Sequence, residues 1–105
     1  MESEARLVMI DYGVAPTDLQ YEIRDRRGEL WRMDFAWPDH HLAAEYDSDA
    51  WHSRPEEVRK DKRKLAAVQE TGWTVIPIIS SDVRRHPQIL AERISVHLDR
   101  ARMAG

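Results

Sequence analysis

At 105 residues, the chain has the length of one domain that can bury a core without disulfides. Its composition, 42% hydrophobic and 33% charged with no cysteine, is typical of soluble globular proteins and excludes disulfides, thiolate metal sites and a cysteine nucleophile. The net charge of −3 means that only a local basic patch could attract nucleic acid.

The first half of the chain predicts a helix followed by strands. Residues 3–12 have the composition of a short helix that Ser3 can cap and Gly13 can end. Residues 19–24, LQYEIR, alternate apolar and polar side chains as a half-buried strand does, and RRG at 26–28 predicts a turn. We therefore expect a hairpin after the first helix.

The segment from residue 30 to residue 47 predicts two further strands. In LWRMDFAW at 30–37, period-two alternation sets Asp34 on the face opposite the one shared by the aromatic residues and Met33. Pro38 ends that strand, and a tight turn at Asp39 and His40 would set Asp34 directly opposite Glu45. Cross-strand neighbours have Cβ atoms about 4.5–5.5 Å apart, so two carboxylates there could share one cation.

The second half predicts a helix, a strand and a helix. Residues 54–72 favour a helix that Gly72 ends, and we expect Val58, Leu65 and Val68 on its core face. Residues 73–79, WTVIPII, indicate a strand covered on both faces, which Pro77 limits to an edge or a strand end. Residues 87–103 predict a last helix, with His97 on its core face.

These elements predict one α/β domain over residues 1–105, with a mixed four-stranded sheet flanked by helices in the order α-β-β-β-α-β-α. No apolar run reaches the length of a membrane span, and the start MESEAR lacks a signal-peptide pattern. We therefore expect a cytoplasmic protein with no membrane contact.

Several short motifs resemble a known nuclease group when they are taken in order. They are Asp34 in MDFAWP, EYD at 45–47, WH at 51–52, Asp61 in RKDKRK and GW at 72–73. The series is similar to the Vsr-like branch of the PD-(D/E)XK nuclease superfamily, which includes short bacterial proteins. The resemblance covers roughly residues 3–83 and implies a restriction-endonuclease-like fold with a magnesium-dependent site, for which Mn²⁺ would be a substitute.

The resemblance also implies residue roles. Asp34 and Glu45 match the metal-binding acids of the family, and Asp47 falls where most of the superfamily has a lysine. By this match the metal ligands would be Asp34, Glu45 and Asp47. His52 matches a histidine that acts as general base in Vsr-like proteins. Further site residues implied by position are Glu4 on the first helix, and Asp61 and Lys64 on the helix after the strands.

A basic run, RKDKRK at residues 59–64, lies in the middle of the predicted helix. Lysine and arginine contact the DNA backbone without reading its sequence, which makes Arg59, Lys60, Lys62 and Arg63 candidate DNA contacts. Trp51 lies in a polar segment beside the candidate site and could stack on a base.

The expected function is a metal-dependent DNA endonuclease of bacterial repair or defence, and a homodimer or a partner protein could supply specificity. The alternative is an inactive nuclease-fold module that binds nucleic acid or a protein, because Asp47 replaces the lysine of the motif and Ser48 its usual glycine.

Single residues also have alternative interpretations without a function. Asp34 and Glu45 could be solvated surface carboxylates, Asp47 a loop cap and His52 an ordinary loop histidine, and RKDKRK a solvated helix face.

Overall fold

The structure is a computed structural model that describes residues 2–46 and 55–104. The elements follow the chain as α1 (Glu2–Asp11), β1 (Asp18–Arg24), β2 (Leu30–Trp37), β3 (Leu42–Tyr46), α2 (Pro55–Gln69), β4 (Thr74–Ile78), α3 (Ser80–Arg84) and α4 (Pro87–Ala104). The predicted order is confirmed, with the addition of the short helix α3. Asp82 in the first turn marks the start of α3 in the sequence. Its Oδ2 accepts a hydrogen bond from the Ile79 backbone N–H at 3.0 Å.

The strands form one mixed sheet in the order β1-β2-β3-β4. Both β1–β2 and β2–β3 pair antiparallel, whereas β3 and β4 pair parallel through the crossover that contains α2. The strand with Pro77, β4, is an edge strand, as predicted. Proline has no backbone N–H to donate to a second neighbouring strand, so an edge position suits it. The α/β class with a mixed four-stranded sheet is confirmed.

The connection between β2 and β3 differs from the prediction, although the register agrees with it. Phe35 pairs with Ala44 and Trp37 with Leu42, so continuing the register by one residue brings Asp34 opposite Glu45. The predicted two-residue turn at Asp39 and His40 is wrong. Residues 38–40 form one turn of 3₁₀ helix, and His41 follows in the left-handed conformation with φ 49°.

Helices cover both faces of the sheet. The larger cluster joins α1, α3 and α4 to one face and contains the following buried side chains: Ala5, Met9, Phe35, Trp37, Leu42, Ala44, Ile76, Ile78, Val83, Leu90 and Ile94. The smaller cluster joins α2 to the opposite face through Ile23, Met33, Ala43 and Val68. Fully burying an aliphatic side chain such as Val68 contributes about 1.5–3 kcal/mol, which fixes α2 against the strands.

The faces of β2 correct the prediction from alternation. Met33 packs in the smaller cluster and Phe35 in the larger one, so Trp31, Met33, Phe35 and Trp37 do not share a face as expected. Gln20 of β1 stands between the pairs Leu19–Phe35 and Tyr21–Met33, opposite Asp34, and its φ of 51° is outside the extended range. The pleat is therefore interrupted at Gln20 and Asp34, and the strand changes faces there.

The strand β4 is covered on both faces, as predicted, because Ile76 and Ile78 pack in the larger cluster and Val75 packs against the smaller one. Two further expectations about the core need correction. Leu65 is 39% exposed and does not lie on the core face of α2. His97 is only half-buried and is not among the residues of the larger cluster, although Leu90 and Ile94 of the same helix are fully buried there.

No helix among the described residues is both long and apolar enough to cross a membrane.

Candidate functional site

The carboxylate of Asp34 lies where the β2–β3 ladder ends. Its Oδ2 accepts a hydrogen bond from the Tyr46 backbone N–H at 2.8 Å, so the side chain replaces a backbone acceptor of β2. The face change at Met33 and Phe35 makes this arrangement available, because the regular ladder stops at the Phe35–Ala44 pair. Asp34 is half-buried and held in place by the backbone of the neighbouring strand.

Glu45 is paired with a lysine from α2. The Nζ of Lys64 contacts Oε1 of Glu45, and the two side chains are only 16% and 25% exposed, respectively. The same ammonium donates to the carbonyl oxygen of Arg32 on β2. Lys64 therefore bridges β2 and β3 on the face that α2 covers, at the same end of the ladder as both acids.

The two acids and the lysine lie at the same end of the β2–β3 ladder. Carboxylate oxygens are ligands that Mg²⁺ prefers, and the donors of Asp34 and Glu45 fit that ion in their chemistry. Within the described ranges, no group of three His, Cys, Asp or Glu residues is arranged to hold a metal ion. A complete ligand set would therefore need a further donor, such as a water molecule, substrate phosphate or a residue beyond these ranges.

Glu4, predicted to reach toward the acidic pair, has a different neighbour in the structure. Its Oε2 lies 3.7 Å from Nε of Arg84, and both side chains are more than half exposed. This ion pair connects α1 to α3 on the face of the sheet opposite α2. A catalytic role for Glu4 stays a prediction.

The other predicted site residues fall where the structure gives no account of their side chains. Asp47, Trp51 and His52 lie outside the described residues. Asp61 lies on α2, with its side chain outside that description. Their roles as ligand, base-stacking residue, general base and acidic site residue stay predictions.

The basic run occupies the exposed surface of α2, next to Lys64. Arg59, Lys60, Lys62 and Arg63 are all exposed, as DNA contacts would have to be. Lys60 and Arg63 line a cleft of about 420 Å³ between α2 and the β1–β2 turn, to which Arg26 and Arg27 also contribute. RRG at 26–28 predicts only a turn from the sequence, whereas in the structure its two arginines lie beside the basic helix.

The β1–β2 turn is held by one carboxylate. Asp25 accepts hydrogen bonds from the indole N–H of Trp31 and from the backbone N–H groups of Arg27 and Glu29, at 2.8–2.9 Å. The indole hydrogen bond is the main cause that holds the pKa of Asp25 below its usual range, and the two backbone donors add to it. An aspartate two residues before the backbone N–H whose hydrogen bond it accepts is typical of a turn held by a side chain, and Asp25 stands in this position before Arg27.

Comparison with known proteins finds relatives but no family or fold. The chain is 61% identical over 105 residues to two uncharacterised proteins of Mycobacterium tuberculosis, from strains CDC 1551 / Oshkosh and ATCC 25618 / H37Rv. The match includes the whole chain but spans only 39% of the length of each relative. No family model matches the chain, and no solved structure matches it.

Proposed function

We propose that this chain is a metal-dependent DNA endonuclease that hydrolyses phosphodiester bonds in DNA repair or defence, with Asp34 and Glu45 as metal ligands. The observation that carries the proposal is the register of β2 and β3, which would set the two acids opposite each other if it continued one residue beyond the Phe35–Ala44 pair. Like charges opposite each other across a sheet destabilise it, and a bound cation would remove that cost. The resemblance to Vsr-like nucleases, with its restriction-endonuclease-like fold, supports the same function.

The chemistry follows from the residue types. A bound Mg²⁺ would polarise the phosphate, lower the pKa of a bound water and stabilise the leaving oxygen. Asp34, Glu45 and Asp47 would hold the ion, and His52 would take the proton from the attacking water. The Lys64 ammonium, already at Glu45, would stabilise negative charge as it develops on the phosphate.

Lys64 bears on the main departure of this sequence from the nuclease motif. Asp47 stands where most of the superfamily has lysine, and Lys64 brings an ammonium to the neighbouring Glu45 from α2 instead. We propose that Lys64 takes over the role of the missing lysine.

The exposed cations of α2 would contact the DNA backbone. Lys60 and Arg63 adjoin Lys64 along the helix, so phosphates bound there would continue into the candidate site. Contacts of this kind give affinity without sequence information, so a partner or second copy would have to add specificity.

One observation favours a second candidate, a nucleic-acid-binding module without catalysis. Glu45 already pairs with the Lys64 ammonium, which neutralises one of the two carboxylates without a metal. Such a module would bind DNA through the cations of α2 in the presence of a chelator.

Cleavage of supercoiled plasmid DNA with Mg²⁺ distinguishes the two functions. We expect wild type to nick the plasmid, and Glu45→Gln to cut at least about 100-fold more slowly, because even outer-shell changes at metal sites cost 10–100-fold. Glu22→Gln, on the exposed side of β1, is the matched control and should cut at the wild-type rate. Equal cleavage by Glu45→Gln would refute the proposed ligand, whereas chelator-resistant DNA binding without wild-type cleavage would establish the second candidate.

A further inference from the structure

A second cavity lies at the other end of β3, away from Glu45 and Lys64. Its volume is about 580 Å³, within the range of small-molecule sites, and it opens between the β2–β3 connection, the start of β4 and the end of α4. The lining residues are Asp39, His40, His41, Leu42, Gly72, Thr74, His97, Arg100 and Ala101. Glu45 lies three positions after Leu42 along β3, a distance of roughly 10 Å.

The polar lining is rich in nitrogen donors. Three imidazoles and one guanidinium line the cavity, against a single carboxylate, that of Asp39. Imidazole and guanidinium N–H groups together can donate several hydrogen bonds to one anion, and the planar arginine fork suits a phosphate. The lining therefore favours an anionic ligand with several acceptor oxygens.

These donors come from two separate elements. His41 is in the left-handed conformation, its carbonyl accepts a hydrogen bond from the Thr74 N–H at 2.9 Å, and its ring lies 5.5 Å from that of Trp73. His97 and Arg100 are three residues apart on α4 and so lie on one side of that helix. The donors on the β2–β3 connection and on α4 therefore face one cavity without belonging to one local motif.

The imidazoles do not form a metal site with their neighbours, because the described part of the chain has no group of three metal-ligating residues arranged around one ion. We infer that this cavity binds a phosphate monoester, with Arg100, His40 and His97 as its principal donors. The remaining volume, which Thr74 and Ala101 also line, would hold the nucleoside part of a mononucleotide or of a strand terminus. The inference is independent of catalysis at Asp34 and Glu45.

The test is a calorimetric titration of the full chain with deoxyadenosine 5′-monophosphate, without added metal. Wild type should bind the nucleotide and not deoxyadenosine, because the phosphate supplies the charge. Arg100→Gln should weaken binding about tenfold or more, since a hydrogen bond to a charged group contributes about 1.5–3 kcal/mol. Arg85→Gln, an exposed arginine outside the cavity, is the matched control and should bind as wild type does.

Two further comparisons complete the test. His40→Gln should also weaken binding while His86→Gln should not, which keeps the inference testable if Arg100→Gln fails to fold. An oligonucleotide with a 5′-phosphate that binds more tightly than its 5′-hydroxyl form, in wild type but not in His40→Gln, would identify a strand end as the source. A mononucleotide that binds with no such gain would identify the free nucleotide. Equal binding of deoxyadenosine, no binding of the nucleotide, or unchanged affinity in the cavity variants would overturn the inference.

Discussion

The hydrogen bond from the Tyr46 N–H to Asp34 shows how one residue can serve both the sheet and a site. A regular strand would have used a backbone carbonyl at this place and left the Asp34 side chain on one face. Here the carboxylate fulfils a backbone role with Oδ2, and no hydrogen bond among the described residues occupies its Oδ1. Asparagine could accept the same bond through its amide oxygen, so Asp34→Asn should preserve the ladder while removing the charge.

Asp25 gives a pH-dependent prediction at the residue scale. Its pKa is lowered in the folded protein, chiefly by the Trp31 indole, so the ionised carboxylate stabilises the fold above the ordinary carboxyl pKa. That stabilisation is lost as the pH falls through the lowered pKa of the folded state. Asp25→Asn should therefore reduce the free energy of unfolding at neutral pH, and its difference from wild type should shrink below about pH 4.

Urea unfolding between pH 3 and pH 7, followed by tryptophan fluorescence, measures this difference. Asp18→Asn, at the exposed start of β1, is the control and should track wild type at every pH. A difference between Asp25→Asn and wild type that does not change with pH would contradict the assigned cause.

At the scale of elements, α2 contributes a buried anchor, a bridging lysine and an exposed basic surface from one helix. Val68 packs against the sheet, Lys64 reaches Glu45 and Arg32, and the exposed cations face solvent. Residues three or four apart share a face of a helix, so Lys64 lies on the same face as Val68, whereas Lys62, two residues from Lys64, does not. Lys62 is therefore a matched control for Lys64.

Lys64→Met should impair both stability and cleavage. Methionine retains the apolar stem but leaves Glu45 without this ammonium, which should cost about 1–3 kcal/mol in the free energy of unfolding. DNA cleavage at saturating DNA should fall at least about tenfold. Lys62→Met removes only a contact that gives affinity, so it should leave the free energy of unfolding and the cleavage rate at saturating DNA close to wild type. Equal effects of the two substitutions would show that the ammonium at Glu45 has no special role.

The basic surface of α2 predicts a defined salt dependence of DNA binding. Replacing Lys60, Lys62 and Arg63 by glutamine should reduce the magnitude of the slope of log K against log [salt] by about 2–3, since each neutralised phosphate contributes about 0.9. The charge-matched control replaces Arg6, Arg85 and Arg93, which lie outside α2 and are exposed. Fluorescence anisotropy at several salt concentrations gives both slopes, and an unchanged slope in the α2 variant would identify its cations as a solvated face.

At the scale of the whole molecule, periodicity predicted the helices, the strands and their order, because each signal lies within a few neighbouring residues. The predicted register of β2 and β3 is also confirmed, with Phe35 opposite Ala44, although the two-residue turn from which it was counted is wrong. The faces of Met33 and Phe35 were predicted wrongly from alternation. The cause is the positive φ of Gln20, which lies on the partner strand and is not a glycine, so the sequence gives no sign of it. The contact of Lys64 with Glu45 spans 19 residues of sequence, and only the parallel crossover brings the two together.

If Asp34 and Glu45 together bind a divalent cation, calorimetric titration with Mn²⁺ should detect it. Wild type and the Asp18→Asn control should show saturable binding of equal affinity. Asp34→Asn and Glu45→Gln, each with an unchanged circular dichroism spectrum, should lose affinity by at least about 100-fold, because each removes a direct ligand. Wild type that binds no Mn²⁺, or binding that survives in both variants, would contradict a shared metal site at Asp34 and Glu45.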